Sequence, residues 1–483
     1  MKKNLDTAAE NLQLTFWSGV RTVTGANFLI SDGSAKILID CGLIQGIPAA
    51  DEENRKPFPY NPSEIDALLV THAHLDHIGR IPKLVKDGFR GKIFSTPETK
   101  AIARFMLEDL LRVQSFKKNA EHDWQTNSPE SREPFFEEHH IEQALNLWHT
   151  FLYHKNFHAV GNFSVEFLDA GHILGSAMMK ITHRGHAGAA TVSETVAPRT
   201  IIFTGDTGNS PSPLIRDTEH LTGADYLVID SVYGDRNHEA KSERDKNFAD
   251  IVRGSIAKKG TLVIPAFSLE RAQILLYELD KLVETGAIPS VPVFLDSPLA
   301  IKLTAIYKSS GALFNVGARK EMESGDDIFN FPRLKISYTG HDSAAIGNVH
   351  GAKIIIAGSG MSSGGRVVAH EALYLPHAEN TLLLTGYQAV GTLGRLLSEG
   401  AREVEINGEK IPVRAQVKMI SGYSGHRDSE GLLELISTAG DSLKKVFVVM
   451  GEPKSALFLT QRVRDYIGVE AIAPEEGKVY KID

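Results

Sequence analysis

The sequence predicts an α/β protein that contains at least two domains. Its 483 residues exceed the roughly 250–300 at which a single hydrophobic core stops growing. The first hundred residues hold short β-rich runs that end at Gly, Asp or Ser, such as NFLIS and AKILID. Further along, strand-like runs such as TLVIPAF alternate with helical segments such as RAQILLYELDKLVE, a rhythm typical of a parallel sheet covered by helices. We therefore expect a β-rich α/β domain with a second α/β block set inside it.

The composition narrows the class of protein and its cellular environment. With 42% apolar and 23% charged residues, the chain lies near the globular average, which excludes wholesale disorder. The one cysteine, Cys41, excludes a disulfide framework and a four-cysteine zinc module, and it suits a reducing cytosol. No run of about 18 uncharged apolar residues indicates a transmembrane helix, and Asp6 and Glu10 interrupt the N-terminus before a signal peptide's apolar region develops. We expect a cytoplasmic protein without a membrane partner.

One motif concentrates residues of the types that bind metals. Residues 72–77 read HAHLDH, directly after the apolar run ALLVT and before a helix. His72 and His74, two apart at a strand end, can converge on one metal, and Asp76 and His77 on the following turn can serve a second metal nearby. Nitrogen and carboxylate ligands in this mixture suit zinc. Because sites in α/β proteins form at the carboxyl ends of strands, we prefer a metal site to a chance group of surface histidines.

A dinuclear site needs further ligands, including a bridging carboxylate, and these should also follow strands. His172 follows the run FSVEFL, and Asp206 follows TIIF. Each alone would pass for an ordinary loop residue, but their order behind HAHLDH favours both as ligands. Asp40 ends the run KILID. It would either orient a ligand histidine from behind or cap the strand, and the sequence leaves both interpretations open.

The order of these motifs resembles a known family. HxHxDH, GHxxGSA and TGD are similar to the motifs of the metallo-β-lactamase family, and the resemblance runs over nearly the whole chain. Later blocks resemble its β-CASP branch, which contains nucleases that cut RNA and DNA. Its acidic motif matches Asp230 in DSVYGDRNH, with Val232 where Thr is commoner; its two histidine motifs match His370 in GSGMSSGGRVVAHEAL and His426 in SGYSGHRD. GYQAVGTLGR and FLDSPLA also match stretches that the branch usually carries.

The resemblance implies a fold class and domain bounds. The fold would be α/β, a metallo-β-lactamase αββα sandwich with a binuclear metal site between its sheets and an inserted β-CASP α/β domain. Residues 1–234 and 369–483 would form the two parts of the sandwich, and residues 235–368 the insertion. The chain would thus leave the catalytic fold near residue 235 and return to it near residue 369.

The resemblance also implies a role for each site residue. One zinc would be held by His72, His74 and His172, the other by Asp76, His77 and His426, with Asp206 bridging the two. His370 would be the general acid, Asp230 would hold its ring, and Asp76 would count among the catalytic residues as well as the ligands. We expect two Zn²⁺ per chain, with Mn²⁺ as the alternative metal.

The reaction implied is hydrolysis of RNA in RNA processing or decay. A hydroxide held between the two ions would attack the phosphodiester, leaving 3′-hydroxyl and 5′-phosphate ends. The net charge of −8 argues against a protein that coats nucleic acid. It is compatible with a focused groove, because two dications would locally outweigh Asp40, Asp76, Asp206 and Asp230. We expect single-stranded RNA as the substrate.

A glycine-rich loop supplies candidate phosphate contacts. The run GSGMSSGGR, residues 358–366, follows a strand and leads into a helix, so its backbone N–H groups form a natural anion nest. No Lys follows as in a P-loop, and Ser363 stands at the third glycine of G-x-G-x-x-G. We therefore expect no nucleotide cofactor, and RNA phosphates at the loop instead. The predicted contacts are Ser359, Gly360, Met361, Ser362, Gly364, Gly365 and Arg366.

Other functions and one departure from the family remain to be weighed. A DNA nuclease of the same branch typically has an aliphatic residue at the third motif, so His426 favours RNA. A glyoxalase-type thioesterase shares HxHxDH but lacks a block like 235–368, and a scaffold that only binds RNA usually loses ligands, all of which are present here. Met450 stands where the family often has His, and we expect it to affect substrate contacts more than catalysis. The sequence leaves open endonuclease or exonuclease action, the preferred RNA, and whether the chain forms a homodimer.

Overall fold

The structure, a computed structural model, describes residues 12–47, 49–120, 133–185, 197–389 and 391–483. Residues 1–11, on which the expected absence of a signal peptide partly rests, lie outside this range. Within it, the chain forms two units. The first contains the described residues up to Ser210 together with Asp217–Arg236 and His426–Asp483, and the second contains Pro211–Arg216 and Asn237–Gly425.

Strands make up most of the regular structure in the described chain. They are β1 (Gln13–Ser18), β2 (Asn27–Ser31), β3 (Lys36–Ile39), β4 (Ala67–Leu69), β5 (Lys92–Ser95), β6 (Trp148–Thr150), β7 (Phe157–Val160), β8 (Phe163–Asp169), β9 (Ala177–His183), β10 (Arg199–Phe203), β11 (Tyr226–Asp230), β12 (Thr261–Pro265), β13 (Val293–Asp296), β14 (Leu334–Ile336), β15 (Lys353–Ala357), β16 (Thr381–Leu384), β17 (Glu403–Ile406), β18 (Glu409–Pro412), β19 (Gln416–Met419), β20 (Lys445–Val449), β21 (Glu470–Ile472) and β22 (Val479–Lys481).

Helices fill most of the connections between the strands. They are α1 (Ala50–Arg55), α2 (Leu75–Ile78), α3 (Ile81–Lys86), α4 (Pro97–Ala120), α5 (Glu138–Asn146), α6 (Lys241–Ala257), α7 (Arg271–Glu284), α8 (Pro298–Ser309), α9 (Val316–Glu323), α10 (Gly340–Ala345), α11 (Arg366–Tyr374), α12 (Leu393–Ser398), α13 (Ser429–Ser437) and α14 (Pro453–Arg462). Among the described residues, no helix is long and apolar enough to cross a bilayer.

The first unit is built on two seven-stranded sheets. One runs β22-β1-β2-β3-β4-β5-β6 and the other β21-β20-β11-β10-β9-β8-β7. Strand periodicity decides which side chains meet between them: Leu14 and Phe16 of β1 are buried, two residues apart, in the same core as Phe203 of β10. Ile202, whose side chain points to the opposite face, joins a second core with the helical residue Ile436. The second sheet is therefore apolar on both faces, which explains the continuous apolar runs of its strands.

The second unit holds a six-stranded sheet in the order β14-β13-β15-β12-β16-β19. Every pairing in it is parallel, as the alternation of strands and helices predicts. The unit extends to Gly425, whereas the sequence led us to expect a return to the catalytic fold near residue 369. The reason is strand pairing: β16 pairs with β12, and β19 pairs with β16, so both late strands belong to the inserted sheet.

Candidate metal centre

The histidines and carboxylates predicted as ligands all lie in the first unit, after the ends of strands. The HAHLDH segment follows β4 and runs into α2, His172 follows β8, and Asp206 follows β10. The loop that carries His172 and the loop that carries Asp206 pack backbone to backbone. A Cβ on Gly208 would lie 1.8 Å from the carbonyl oxygen of Gly171. The chain comes back beside them at His426, which forms an isolated bridge with Gly208. Residues far apart in sequence therefore meet at the ends of neighbouring strands.

Three histidine nitrogens converge in the first cluster. His74 Nδ1 lies 3.1 Å from His72 Nε2 and 3.2 Å from His172 Nε2. Asp206 Oδ2 lies 3.6 Å from the same two Nε2 atoms. The four ligand atoms lie within 4.8 Å of one another. This is the set that the resemblance assigned to the first metal, with Asp206 added.

Asp206 also belongs to two further clusters. Its Oδ1 lies 3.3 Å from His77 Nε2, whose other neighbour is Asp76 Oδ2 at 3.9 Å. Its Oδ2 lies 3.8 Å from His426 Nδ1, and Asp230 Oδ2 lies at the same distance from that nitrogen. A carboxylate shared by every cluster of the centre stands where a bridging ligand is needed. The sequence predicted His426 beside Asp76 and His77, whereas the structure groups His426 with Asp206 and Asp230.

Asp40 lies behind this centre and holds it in place. Its Oδ2 is 2.7 Å from His77 Nδ1, and its carboxylate accepts hydrogen bonds from the backbone N–H and the hydroxyl of Thr71, both at 2.8 Å. A carboxylate on one ring nitrogen directs the other nitrogen toward the centre. Of the two interpretations that the sequence left open, the contacts favour the orienting one.

Burial and charge set the protonation states that a metal would meet. Burial lowers the pKa of His72 and of His74 well below the usual value, and neighbouring histidines lower it further. Burial alone would raise the pKa of Asp206, yet His77 beside it holds that pKa well below its ordinary range. Burial also lowers the pKa of His77, but Asp206 and the adjacent carboxylates outweigh this and raise it well above normal. The pKa of His426 is likewise raised, because Asp230 and Asp206 outweigh its burial. The raised pKa means that His77 holds a proton, and a dication bound at Nε2 would displace it.

Buried atoms without partners support a bound cation. His77 Nε2 and Asp206 Oδ1 face each other at 3.3 Å but outside hydrogen-bonding geometry, and Asp230 Oδ2 is likewise buried without a hydrogen bond. An unsatisfied buried polar atom costs about 1–3 kcal/mol, so three in one place call for a group that would satisfy them. Neutral imidazoles and ionised carboxylates are the ligand forms that zinc binds. The residues of this site therefore fit a metal.

His370 lies in the second unit, on α11, and its partner within that unit is Asp296. Its Nε2 lies 2.7 Å from Asp296 Oδ2. Asp230 instead accepts hydrogen bonds from the backbone N–H and hydroxyl of Thr207 and lies near His426. Asp230 and His370 belong to different units, and the expectation that Asp230 holds the ring of His370 stays a prediction. Asp296 was not among the site residues predicted from the sequence, although it lies in the FLDSPLA stretch that resembles the family.

The glycine-rich loop joins β15 to α11, and the structure separates its predicted phosphate contacts into two groups. The Ser362 side chain is buried against Glu371, and the Arg366 guanidinium is bonded to Asp296 and to the carbonyl oxygens of Ser337 and Tyr338. These two side chains are engaged inside the unit, and their assignment as RNA contacts stays a prediction. Ser359 is bonded within the loop: its N–H donates to the carbonyl oxygen of Gly364, and its hydroxyl accepts from the N–H of Ser363. Among the described residues, no hydrogen bond engages the backbone N–H groups of the remaining predicted members, Gly360, Met361, Gly364 and Gly365.

The position of the Met450 side chain also differs from the predicted one, which was beside the substrate. Its side chain is 1% exposed and packs in the core between the two sheets of the first unit. It lines a small cavity together with Asp40 and His77. The Met450 side chain therefore contacts residues behind the metal centre and is too deeply buried to contact the substrate.

Comparisons with known proteins agree with this arrangement. Three family models match in order: the metallo-beta-lactamase superfamily over residues 21–247, the Beta-Casp domain over 272–397, and the Zn-dependent metallo-hydrolase RNA specificity domain over 410–474. A crystal structure of a protein of unknown function from Enterococcus faecalis V583 aligns with a TM-score of 0.53 at 13% identity, covering 98% of this chain and 100% of that one. At that identity the likeness shows the fold alone.

Two curated relatives align over most of the chain. One is "Ribonuclease TTHA0252" of Thermus thermophilus, 32% identical over 448 residues that cover 93% of this chain and 95% of the relative. Another is "Transcription termination factor FttA" of Methanosarcina mazei, 28% identical over 476 residues that cover 96% of this chain and 70% of the relative. The family and fold predicted from the motifs are confirmed. The chain belongs to the β-CASP ribonucleases of the metallo-β-lactamase superfamily, a family of metal-dependent hydrolases.

Proposed function

We propose that this chain hydrolyses the phosphodiester bonds of single-stranded RNA in the cytoplasm, with two zinc ions per chain, and leaves 3′-hydroxyl and 5′-phosphate ends. The observation that carries the proposal is the convergence of five histidines and two further carboxylates around Asp206. The resemblance to a ribonuclease over 95% of its length favours RNA over DNA as the substrate. Manganese is the alternative metal.

The metal contributes one part of the chemistry. When bound, two divalent ions activate water and stabilise negative charge on the phosphoryl oxygens. The chain's own residues do the rest. His77, held by Asp40, and Asp206 present ligand atoms that are already ordered and desolvated, so little reorganisation is needed on binding.

His370 is proposed as the general acid. The departing sugar oxygen is a poor leaving group as an alkoxide, and a positioned acid contributes about 10²–10⁴-fold. The unpaired backbone N–H groups of the loop that precedes α11 would hold substrate phosphates, because successive N–H groups attract anions. These two features lie in the same unit and are joined directly in sequence.

The experiment combines metal analysis with cleavage assays. Purified protein should carry close to two zinc ions per chain and cleave single-stranded RNA in preference to single-stranded DNA of the same sequence. His370→Ala should keep its zinc and lose about 10²–10⁴-fold in kcat on RNA, whereas Asp76→Ala/His77→Ala should lose zinc as well. His158→Ala is the matched control, since this exposed histidine bonds only the carbonyl oxygen of Gly161.

Two results would contradict the proposal. Cleavage of RNA by His370→Ala at the wild-type rate would remove the general acid, and unchanged zinc content in the double variant would remove the ligand assignment. Sequencing the products from a 5′-blocked RNA then decides between endonuclease and exonuclease action. A preference for DNA in the same assay would point to the other activity of the branch.

A further inference from the structure

The side chain that contacts His370 is a fully buried carboxylate at the end of a strand. Asp296 is the last residue of β13 and is 0% exposed. Its position is fixed by the sheet, because β13 pairs in register with β15 at Asp296 and Ala357. Ser297, the next residue, caps the N-terminus of α8 by accepting a hydrogen bond from the N–H of Ala300. The carboxylate is thus anchored by rigid elements on both sides.

Three side chains donate to this carboxylate, and they come from two helices. Arg366 Nη1 lies 2.6 Å from Oδ1, while Ser343 Oγ and His370 Nε2 lie 2.6 Å and 2.7 Å from Oδ2. Arg366 and His370 are four residues apart on α11, which places them on one face of that helix. Burial by itself would raise the pKa of Asp296, but the hydrogen bonds from His370, Ser343 and Arg366 lower it. The group is therefore a carboxylate that can only accept.

The acceptor fixes which nitrogen of His370 carries a proton toward Asp296. Since a carboxylate accepts only, Nε2 must be the donor in this bond. Any proton that His370 passes to a substrate must then come from Nδ1, the other ring nitrogen. The ring is 4% exposed and lies parallel to Tyr374, at 6.2 Å between centroids, so its orientation is set by packing as well as by Asp296.

We propose that Asp296 is a positioning residue for RNA cleavage: it holds the His370 imidazolium, protonated on both ring nitrogens, with Nε2–H on the carboxylate so that Nδ1–H is the acid; this rests on the proposed function of His370. In the step it serves, the oxygen of water bonds to phosphorus while the bond from phosphorus to the departing sugar oxygen breaks. The electron pair of the broken bond stays on that oxygen, which takes the Nδ1 proton. The ring is then the neutral imidazole with Nε2–H still on Asp296, and the proton lost by the attacking water reaches Nδ1 through solvent and restores the imidazolium. One water is consumed for each bond cut.

The test compares two substrates that differ in their need for an acid. RNA has an alkoxide leaving group that must be protonated, whereas a p-nitrophenyl phosphodiester of a nucleoside releases a phenolate that needs no proton. Asp296→Asn and His370→Ala should each lose about 10²-fold or more in kcat on RNA and little on the p-nitrophenyl ester. Asp206→Asn, at the metal centre, should lose both activities. Asp280→Asn is the matched control, because Asp280 is a buried carboxylate of the same unit that contacts neither His370 nor Arg366.

The outcomes separate this proposal from the function on which it rests. Wild-type RNA cleavage by Asp296→Asn alongside impaired His370→Ala would overturn the role of Asp296 alone. An equal loss on both substrates would assign Asp296 a structural role and also overturn it. Wild-type cleavage by His370→Ala would overturn both proposals. In the His370→Ala background, Asp296→Asn should cost no further activity on RNA, and an additional loss there would again contradict the proposal.

A second pair of variants covers the case in which Asp296→Asn does not fold. Replacing the carboxylate leaves the Arg366 guanidinium, 22% exposed, without its counter-ion, and that is the main risk to stability. Asp296→Asn/Arg366→Gln removes both charges and is compared with Arg366→Gln alone. The proposal predicts that the double variant is slower on RNA than the single one, at equal rates on the p-nitrophenyl ester. Equal rates on RNA would contradict it.

Discussion

Asp280 makes the stability of the second unit depend on pH. It lies on α7 and is 2% exposed. One of its carboxylate oxygens lies within 4.8 Å of a carboxylate oxygen of Glu284 and of one of Asp326. Burial, and then repulsion from Glu284 and Asp326, raises the pKa of Asp280 from 3.8 to about 7. We predict that Asp280→Asn removes a pH-dependent loss of stability that the wild-type protein suffers as the pH rises.

The sign and size follow from linkage. Because the folded pKa lies above the unfolded one, the protonated folded form is favoured; its contribution is complete below the unfolded pKa and is lost as the pH rises through about 7. The full difference corresponds to about 4 kcal/mol. Since the charges that repel Asp280 face solvent and are screened, we expect about half of this. The loss begins at the unfolded pKa of 3.8, so roughly 1–1.5 kcal/mol of it falls between pH 5 and pH 8.

The assay is thermal unfolding of wild type and variant in parallel from pH 5 to pH 8. Both proteins carry the same metal centre, so the difference between their Tm values isolates Asp280. That difference should favour Asp280→Asn increasingly with pH, by a few degrees in total. Asp250→Asn, an exposed residue paired with Arg253, should show a pH-independent difference. A constant difference for Asp280→Asn, or one that falls as the pH rises, would refute the reasoning.

Three further predictions concern the metal centre, the glycine-rich loop and the core. Asp40→Asn should weaken zinc binding by about 10–100-fold, measured by competition with a chelator, because His77 loses its 2.7 Å partner; unchanged affinity would refute the orienting role. Gly365→Ala should raise KM for RNA without changing zinc content, since φ is +74° and a Cβ would lie 2.5 Å from a loop carbonyl oxygen, whereas Gly254→Ala in α6, with open space around it, should leave KM unaltered and add up to about 1 kcal/mol of stability. Phe203→Ala should destabilise the first unit by about 3–5 kcal/mol, seen as a lower Tm, because its ring is 1% exposed between the two sheets.

Much of the metal centre could be predicted because its residues are recognisable from the sequence immediately around them. His72, His74, His172 and Asp206 each follow a short apolar strand, and the ends of neighbouring strands meet at one edge of a sheet. The sequence also predicted the parallel sheet of the second unit, since its buried strands read as continuous apolar runs. What it misplaced was the end of that unit, because nothing local in β16 or β19 shows which sheet they join.

The sequence by itself determined the chemical inventory of this protein: which side chains could bind metal, their order along the chain, and the two kinds of sheet that carry them. Only the tertiary structure decided which carboxylate meets which histidine. Asp296 and His370 are 74 positions apart, and their contact depends on the register between β13 and β15 and on the face that α11 turns toward that sheet. Asp230, which the resemblance assigned to His370, is bonded within its own unit to Thr207, and Ser362, which the loop pattern assigned to RNA, is bonded to Glu371. The physical reason is that strand and helix periodicity is a local property, whereas the partner of a buried polar group is set by the packing of distant segments.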